Sequence, residues 1–337
     1  MMTLLHLGFR LFNLNMKAIL FLFIASLVLI TISCHQQNAS PLALKEQQLP
    51  DRFLVVLGIA QDAGYPQIGC KGLCCAAYWN GKEEKKHITC LALVDRSSNK
   101  YWLFEATPDI TEQLYTLQSF LKIKDDYSPA GIFITHAHIG HYSGLMQLGR
   151  EAMGATAIPV WAMPRLDSFL VHNGPWSQLV SLNNIALQQL HADSAVKLSN
   201  EITVTPFTVP HRDEFSETVG YIIASAQKKI LFIPDIDKWE KWNRNITNEI
   251  KKVDIAFIDG TFYKNGELTG RDVREVPHPF VSESMSRFND LQASEKAKIR
   301  FIHFNHTNPL LKTASAQKDS VFAKGYGIAE EGMIIKL

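Results

Sequence analysis

Three histidines fall within six residues in His136-Ala137-His138-Ile139-Gly140-His141, directly after the apolar run Gly131-Ile132-Phe133-Ile134-Thr135. Neutral imidazole is the commonest protein ligand for zinc and also suits iron. A strand that ends at His136 and turns into a loop can aim alternate rings at one point, while His141 arrives from the following helical turn. The plainer alternative is an exposed, histidine-rich loop. The apolar strand before the cluster and the helical pattern Gly144–Glu151 after it favour metal chemistry.

Three further chemistry-bearing residues close or follow strand-like runs. These are His211 after Phe207-Thr208-Val209-Pro210, Asp235 after Ile230-Leu231-Phe232-Ile233-Pro234, and His303 in Arg300-Phe301-Ile302-His303-Phe304-Asn305-His306. A lone histidine after a strand is usually a hydrogen-bonded surface residue, and a lone aspartate after proline is usually a turn or a helix cap. Their order along the chain suggests instead that they converge on one sheet edge. A separate cluster, Cys70-Lys71-Gly72-Leu73-Cys74-Cys75, offers three thiolates to a tetrahedral zinc, with a disulfide as its rival. Cys90, inside Ile88–Val94, reads as a buried core thiol.

The elements that must position these residues follow from apolar periodicity. Strands are predicted at Arg52–Ala60, Ile88–Val94, Tyr101–Glu105, Gly131–Thr135, Ile202–Val209, Val219–Ser225, Ile230–Ile233, Ile255–Ile258 and Ile299–Phe304. Helices are predicted at Ile110–Leu121, Gly144–Glu151, Arg165–His172, Lys238–Lys251 and Val281–Leu291. Neighbouring strands followed by alternating strands and helices describe an α/β chain of layered sheets with helices outside. No internal repeat is evident in the sequence. With 46% hydrophobic residues the chain can bury a full core, and 34 basic against 33 acidic residues give no general attraction to nucleic acid.

The N-terminus reads as an export signal. Met16-Lys17 opens an apolar run from Ala18 to Ile32, and Thr31-Ile32-Ser33-Cys34 resembles a loose bacterial lipobox. Residues 1–34 are thus expected to be a signal peptide, with Met16 as an alternative start, and Cys34 is expected to carry a lipid. A single transmembrane anchor is the rival, although the run is short of the ~20 residues a span needs. Residues 35–51 read as a polar tether and residues 52–337 as one folded domain, exported and held at a membrane on the periplasmic or cell-surface side.

Together, His136, His138, His141, His211, Asp235 and His303 resemble the metal-binding pattern of the metallo-β-lactamase-fold superfamily. The resemblance covers Arg52 to Leu337 and implies an αββα sandwich with its metal site at one sheet edge. The cysteine cluster, Phe257-Ile258-Asp259-Gly260-Thr261-Phe262 and His303-x-x-His306-Thr307-Asn308-Pro309 are similar to the branch containing pyrroloquinoline quinone biosynthesis protein B and the phosphonate-pathway cyclic phosphodiesterase. That likeness implies that His306 completes a structural zinc with Cys70, Cys74 and Cys75. It also implies that one or two divalent ions, zinc first with iron or manganese as alternatives, are held by the six residues named above. Gly140 stands where the superfamily pattern HxHxDH has an aspartate that binds the second metal, so that site is expected to keep only His141, His303 and the shared Asp235.

The chemistry implied is hydrolysis of an ester, phosphodiester or related bond in a small-molecule or peptide substrate. Asp235 bridges the metals, and His278, in Val276-Pro277-His278-Pro279, donates a proton to the leaving group; a plain loop histidine is the alternative. His172-Asn173-Gly174-Pro175-Trp176-Ser177 and Arg212-Asp213-Glu214 are expected to recognise substrate, with Trp176 as core plug the alternative. Two rival functions are an iron-dependent oxidation in quinone cofactor synthesis and a binding lipoprotein weakened in catalysis by Gly140.

Overall fold

The first strand alternates between two apolar environments. In β1 (Arg52–Gly58), Leu54 and Val56 join the core shared by the two sheets, whereas Phe53, Val55 and Leu57 pack beneath helices on the opposite face. A strand buried on both sides reads as one continuous apolar run, as this one does. The computed structural model describes residues 49–122, 128–212, 214–268 and 277–337. The expected signal peptide, Cys34 and most of the tether lie outside the described residues, as do Asp213 and Val276. Among the described residues no helix is long and apolar enough to cross a membrane.

The remaining strands are β2 (Cys90–Asp95), β3 (Lys100–Phe104), β4 (Gly131–Phe133), β5 (Ile158–Ala162), β6 (Ile185–Gln189), β7 (Val196–Lys197), β8 (Thr203–Thr208), β9 (Val219–Ala224), β10 (Lys229–Ile233), β11 (Ile255–Asp259), β12 (Ile299–Ile302), β13 (Gly327–Ile328) and β14 (Ile334–Lys336). One sheet runs β14-β1-β2-β3-β4-β5-β6 and the other β13-β12-β11-β10-β9-β8-β7. In each, an antiparallel portion passes into a parallel one, at β3 in the first sheet and β10 in the second. The topology therefore repeats where the sequence does not.

Aromatic rings fill the space between the sheets. Phe133 stacks on Trp161 at 4.5 Å between centroids and on Phe104 at 5.2 Å, and the edge of Tyr221 from the opposite sheet meets both phenylalanines. On the outer face of the first sheet, Ile110 and Leu117 of helix Ile110–Leu121 join Leu145, Leu166 and Leu170 over β1 to β4. This is the αββα sandwich the sequence predicts, with corrections to some elements. Lys238–Lys251 is not one helix but a short 3-10 turn, Trp239–Lys241, and a helix, Ile246–Lys251. Gly144–Glu151 is replaced by helix Ile139–Tyr142 running into a 3-10 segment, Ser143–Leu148.

The C-terminal ends of β1, β3, β4, β8, β10, β11 and β12 lie on one edge, because β1 and β8 are each two antiparallel steps from a parallel strand. Loops leaving such an edge are where α/β sheets place their sites.

Candidate metal centre

Each of the six expected histidine and aspartate ligands follows a strand that ends on this edge. His136, His138 and His141 follow β4, His211 follows β8, Asp235 follows β10 and His303 follows β12. One donor group comprises His136, His138, His211 and Asp235. Asp235 Oδ2 is 3.4 Å from His136 Nε2, 3.2 Å from His211 Nε2 and 3.8 Å from His138 Nδ1, and His211 Nε2 is 3.3 Å from His138 Nδ1. Donors held ~2.0–2.1 Å from a tetrahedral ion stand about 3.3 Å apart, so this spacing suits a zinc-sized cation.

Hydrogen bonds behind the rings show which nitrogens carry lone pairs. Thr135 Oγ1 donates to Glu105 Oε1 at 2.6 Å, so it can only accept from His136 Nδ1–H at 2.9 Å, which leaves the inward-facing Nε2 unprotonated. That Nε2 is buried without a well-aligned hydrogen-bond partner among the described residues. His211 Nδ1 pairs with Asp237 Oδ1 at 3.1 Å, and Lys241 Nζ donates to the other Asp237 oxygen. Lone pairs and a carboxylate thus converge on one buried point, and such an arrangement calls for a cation.

Protons also respond to the carboxylates gathered here. Burial opposes protonation of His211, but the Asp235 charge and hydrogen bonds to Asp235 and Asp237 raise its pKa to about 9. Burial and the neighbouring His141 charge push His136 well below the usual histidine value. Burial would raise the Asp235 carboxyl, yet His211 and His278 hold it well below the ordinary carboxylate range.

The second donor group differs from the sequence expectation. His141, His303 and Asp235 are joined by Asp62, from the loop after β1, so the group is not left one donor short by Gly140. Asp62 Oδ1 lies 3.0 Å from His141 Nε2 and 3.2 Å from His303 Nε2, and His141 Nε2 is 3.9 Å from the same Asp235 oxygen that faces the first group. Glu105 Oε1 backs His141 Nδ1 at 3.1 Å. Thr261 Oγ1 donates to Asp259 Oδ1 at 2.7 Å and therefore accepts from His303 Nδ1–H at 3.0 Å. Burial would lower the His141 pKa, but Glu105 and Asp62 raise it well above the usual value. Glu105 and His303 both have positive φ, 88° and 68°, a conformation that costs non-glycine residues of order 1–3 kcal/mol and concentrates at functional sites.

His278 enters from the loop before helix Val281–Arg287. Its Nδ1 is 2.9 Å from Asp259 Oδ2 and 3.1 Å from Asp235 Oδ1. Asp259 also accepts from the Ile236 amide, which fixes the chain beside Asp235. Burial disfavours the charged ring, but Asp235 and Asp259 outweigh it and raise the His278 pKa well above 6.5.

The cysteine cluster forms a third group with His306. His306 Nδ1 is 3.5 Å from Cys74 Sγ and 3.4 Å from Cys75 Sγ, and Cys70 Sγ is 3.5 Å from Cys74 Sγ. Zinc–sulfur bonds of ~2.3 Å put tetrahedral donors about 3.5–3.8 Å apart, close to these spacings. All three thiols are free, and the Cys70 and Cys74 sulfurs stand 3.5 Å apart, well beyond the ~2.05 Å of an S–S bond. Burial pushes Cys75 up to about 12, an unfavourable setting for a thiolate unless a cation shares it. Cys90 is buried and stands apart from the group.

Aromatic side chains lie on the His138 side. Trp176 packs on Tyr142 and Phe169, Phe169 meets the exposed Phe215, and Glu214 Oε2 is 3.9 Å from His138 Nε2. Trp176 is half-buried and packs against the core of the first sheet's outer face, and its Nε1 has no partner among the described residues. Sequence reasoning missed Asp62, Glu105, Asp237 and Thr261, and gave Asp259 no role. Their shared signal is position, because Asp62, Glu105, Asp259 and Thr261 all end or follow a strand on the same edge.

A family model described as a β-lactamase superfamily domain matches residues 101–304. Coenzyme PQQ synthesis protein B of Methylobacterium sp. (strain 4-46) is 24% identical over 311 residues, covering 84% of this chain and 99% of that protein. The protein of the same name from Acinetobacter baumannii is 26% identical over 313 residues, with the same two coverages. Among solved structures, Zn(2+)-bound PqqB from Methylobacterium extorquens superposes with a TM-score of 0.70 at 22% identity, over 85% of this chain and 100% of that one. A diphosphatase from the PhnP family gives a TM-score of 0.56 at 21% identity, over 84% of this chain and 96% of that one.

Proposed function

The chain belongs to the β-lactamase superfamily, and from that premise we propose that it is a metal-dependent hydrolase acting on an ester, phosphodiester or related bond. The observation that carries this reading is the pair of donor groups sharing Asp235 Oδ2 at the strand edge. His136, His138, His211 and Asp235 would hold one divalent ion, and His141, His303, Asp235 and Asp62 a second. A bound ion supplies Lewis acidity to the bond under attack and makes hydroxide available near neutral pH. The protein's own groups do the rest. Glu105, Asp237 and Thr261 orient the rings, and His278, held by Asp259, keeps a proton beside Asp235 for the departing oxygen. Glu214 and the Phe169–Phe215–Trp176 wall would bound the substrate on the His138 side.

Elemental analysis of the purified full chain tests the assignment, compared with His136→Ala and Cys75→Ser. The expected result is that the first variant loses metal from the histidine edge and keeps the cysteine-bound zinc, whereas the second loses the cysteine-bound zinc and keeps the ion beside His136. Equal metal content in all three proteins would defeat both assignments.

The relatives named for coenzyme PQQ synthesis, matched over nearly their full length, favour a second reading, an oxidation in quinone cofactor synthesis. Iron content with oxygen consumption on a tyrosine-containing peptide would select it. Zinc or manganese content with ester or phosphodiester turnover would select hydrolysis.

A further inference from the structure

We propose that Asp62 and Gly140 are the two halves of one exchange, in which the loop after β1 supplies the second donor group's carboxylate and residue 140 is glycine to make room for it. The inference rests on the metal-centre reading above, and Gly140 supplies its independent half. A Cβ at residue 140 would lie 2.3 Å from Asp62 Cα, 2.7 Å from its Cβ and 2.9 Å from its Cγ. The first of these is a main-chain atom, so no rotamer of Asp62 relieves the contact. Gly140 has no positive φ to account for its identity, and it sits inside helix Ile139–Tyr142, where glycine is a poor helix former. Space is the remaining reason for glycine here.

Asp62 is locked where it can serve. The Gln61 amide donates to the Phe304 carbonyl at 2.8 Å, the Phe304 amide donates to Ile59 O at 2.8 Å, and Asn305 Nδ2 donates to Gln61 Oε1 at 3.0 Å. These bonds tie the Asp62 loop to the chain carrying His303, so the carboxylate and the imidazole it faces are placed together. His141 is one residue from Gly140, and its Nε2 reaches the same Asp62 oxygen. The side chain missing at 140 and the carboxylate supplied from 62 therefore occupy neighbouring volume beside the same two histidines. Asp62 thus brings the group to four residues without a side chain at 140. Gly140 is, on this account, no sign of lost catalysis.

Zinc titration calorimetry on metal-free full-length protein tests the ligand half, and thermal melting of the same metal-free samples tests the steric half. Asp62→Asn is expected to weaken the second zinc-binding event at the histidine edge by at least about tenfold, leaving the first and the cysteine site in place. Gly140→Asp is expected to lower the melting temperature of the metal-free chain, and Asp62→Gly/Gly140→Asp not to restore it, because the residue-62 Cα that a Cβ at 140 meets is still present. Gly140→Ala, which adds only the Cβ, is expected to lower the melting temperature as well and so decides the steric half, and Asp62→Asn decides the ligand half. Unchanged second binding in Asp62→Asn, or Gly140→Asp and Gly140→Ala chains melting with the wild type, would overturn the exchange. Wild-type protein that binds no zinc at the histidine edge would instead remove the metal-centre reading itself.

Discussion

At the scale of single residues, His278 separates positioning from chemistry. Its ring is tied to Asp259 and faces Asp235, and both carboxylates keep it charged. A proton donor matters only when the leaving group needs a proton. His278→Gln is therefore expected to lower kcat about 10²–10⁴-fold on alkyl or sugar leaving groups and to leave p-nitrophenyl substrates nearly untouched. Equal losses on both, measured side by side, would make His278 a positioning residue only. The histidines of this centre were legible in the sequence because their crowding has few structural explanations. Asp62 was not, because an aspartate in Gln61-Asp62-Ala63-Gly64 has the composition of an ordinary turn. Glu105 was equally hidden, since nothing in Phe104-Glu105-Ala106 shows that the carboxylate is fully buried behind two rings.

At the scale of elements, the strand edge depends on a clamp between chain segments far apart in sequence. His87, just before β2, accepts at its carbonyl from the Ile59 and Ala60 amides that follow β1, while its ring lies between Glu112 and Glu331. Burial opposes the charged ring, but the Glu331 hydrogen bond and charge prevail and raise its pKa above 6.5. A histidine whose pKa is raised by folding stabilises fully below its unfolded value and loses that contribution as pH climbs through the folded one. His87→Gln is expected to cost about 1–2 kcal/mol near pH 6 and progressively less toward pH 9, measured by urea unfolding. A pH-independent difference would overturn the clamp.

Most strands of the parallel regions were legible as apolar runs, and helix Ile110–Leu121 was legible in full. Elements that lack a distinctive period were not. β5 carries Pro159 and buries only alternate residues, β6 ends in exposed Gln188 and Gln189, and β14 is a short C-terminal return to the first sheet. The stretch predicted as one helix over Lys238–Lys251 is divided where Asn245 caps the second piece by accepting from the Asn248 amide.

At the scale of the whole molecule, two loops join the cysteine group to the donor group that contains Asp62 and His303. One loop carries Asp62 and then Cys70, Cys74 and Cys75, and the other carries His303 and then His306. Between them run the hydrogen bonds from Gln61 to Phe304, Phe304 to Ile59 and Asn305 to Gln61. An ion among the cysteines would therefore steady the same two segments that deliver Asp62 and His303 to the strand edge. Thermodynamic linkage would make such an effect reciprocal, so filling either site would raise the affinity of the other by one common factor. Stepwise removal of zinc with a chelator is expected to reveal a loading hierarchy. Cys75→Ser should weaken the ion beside Asp62 about 5–150-fold, the usual span of such coupling, and leave the ion beside His136 unchanged. In this picture occupancy of the cysteine group would help decide whether the group containing Asp62 holds its ion.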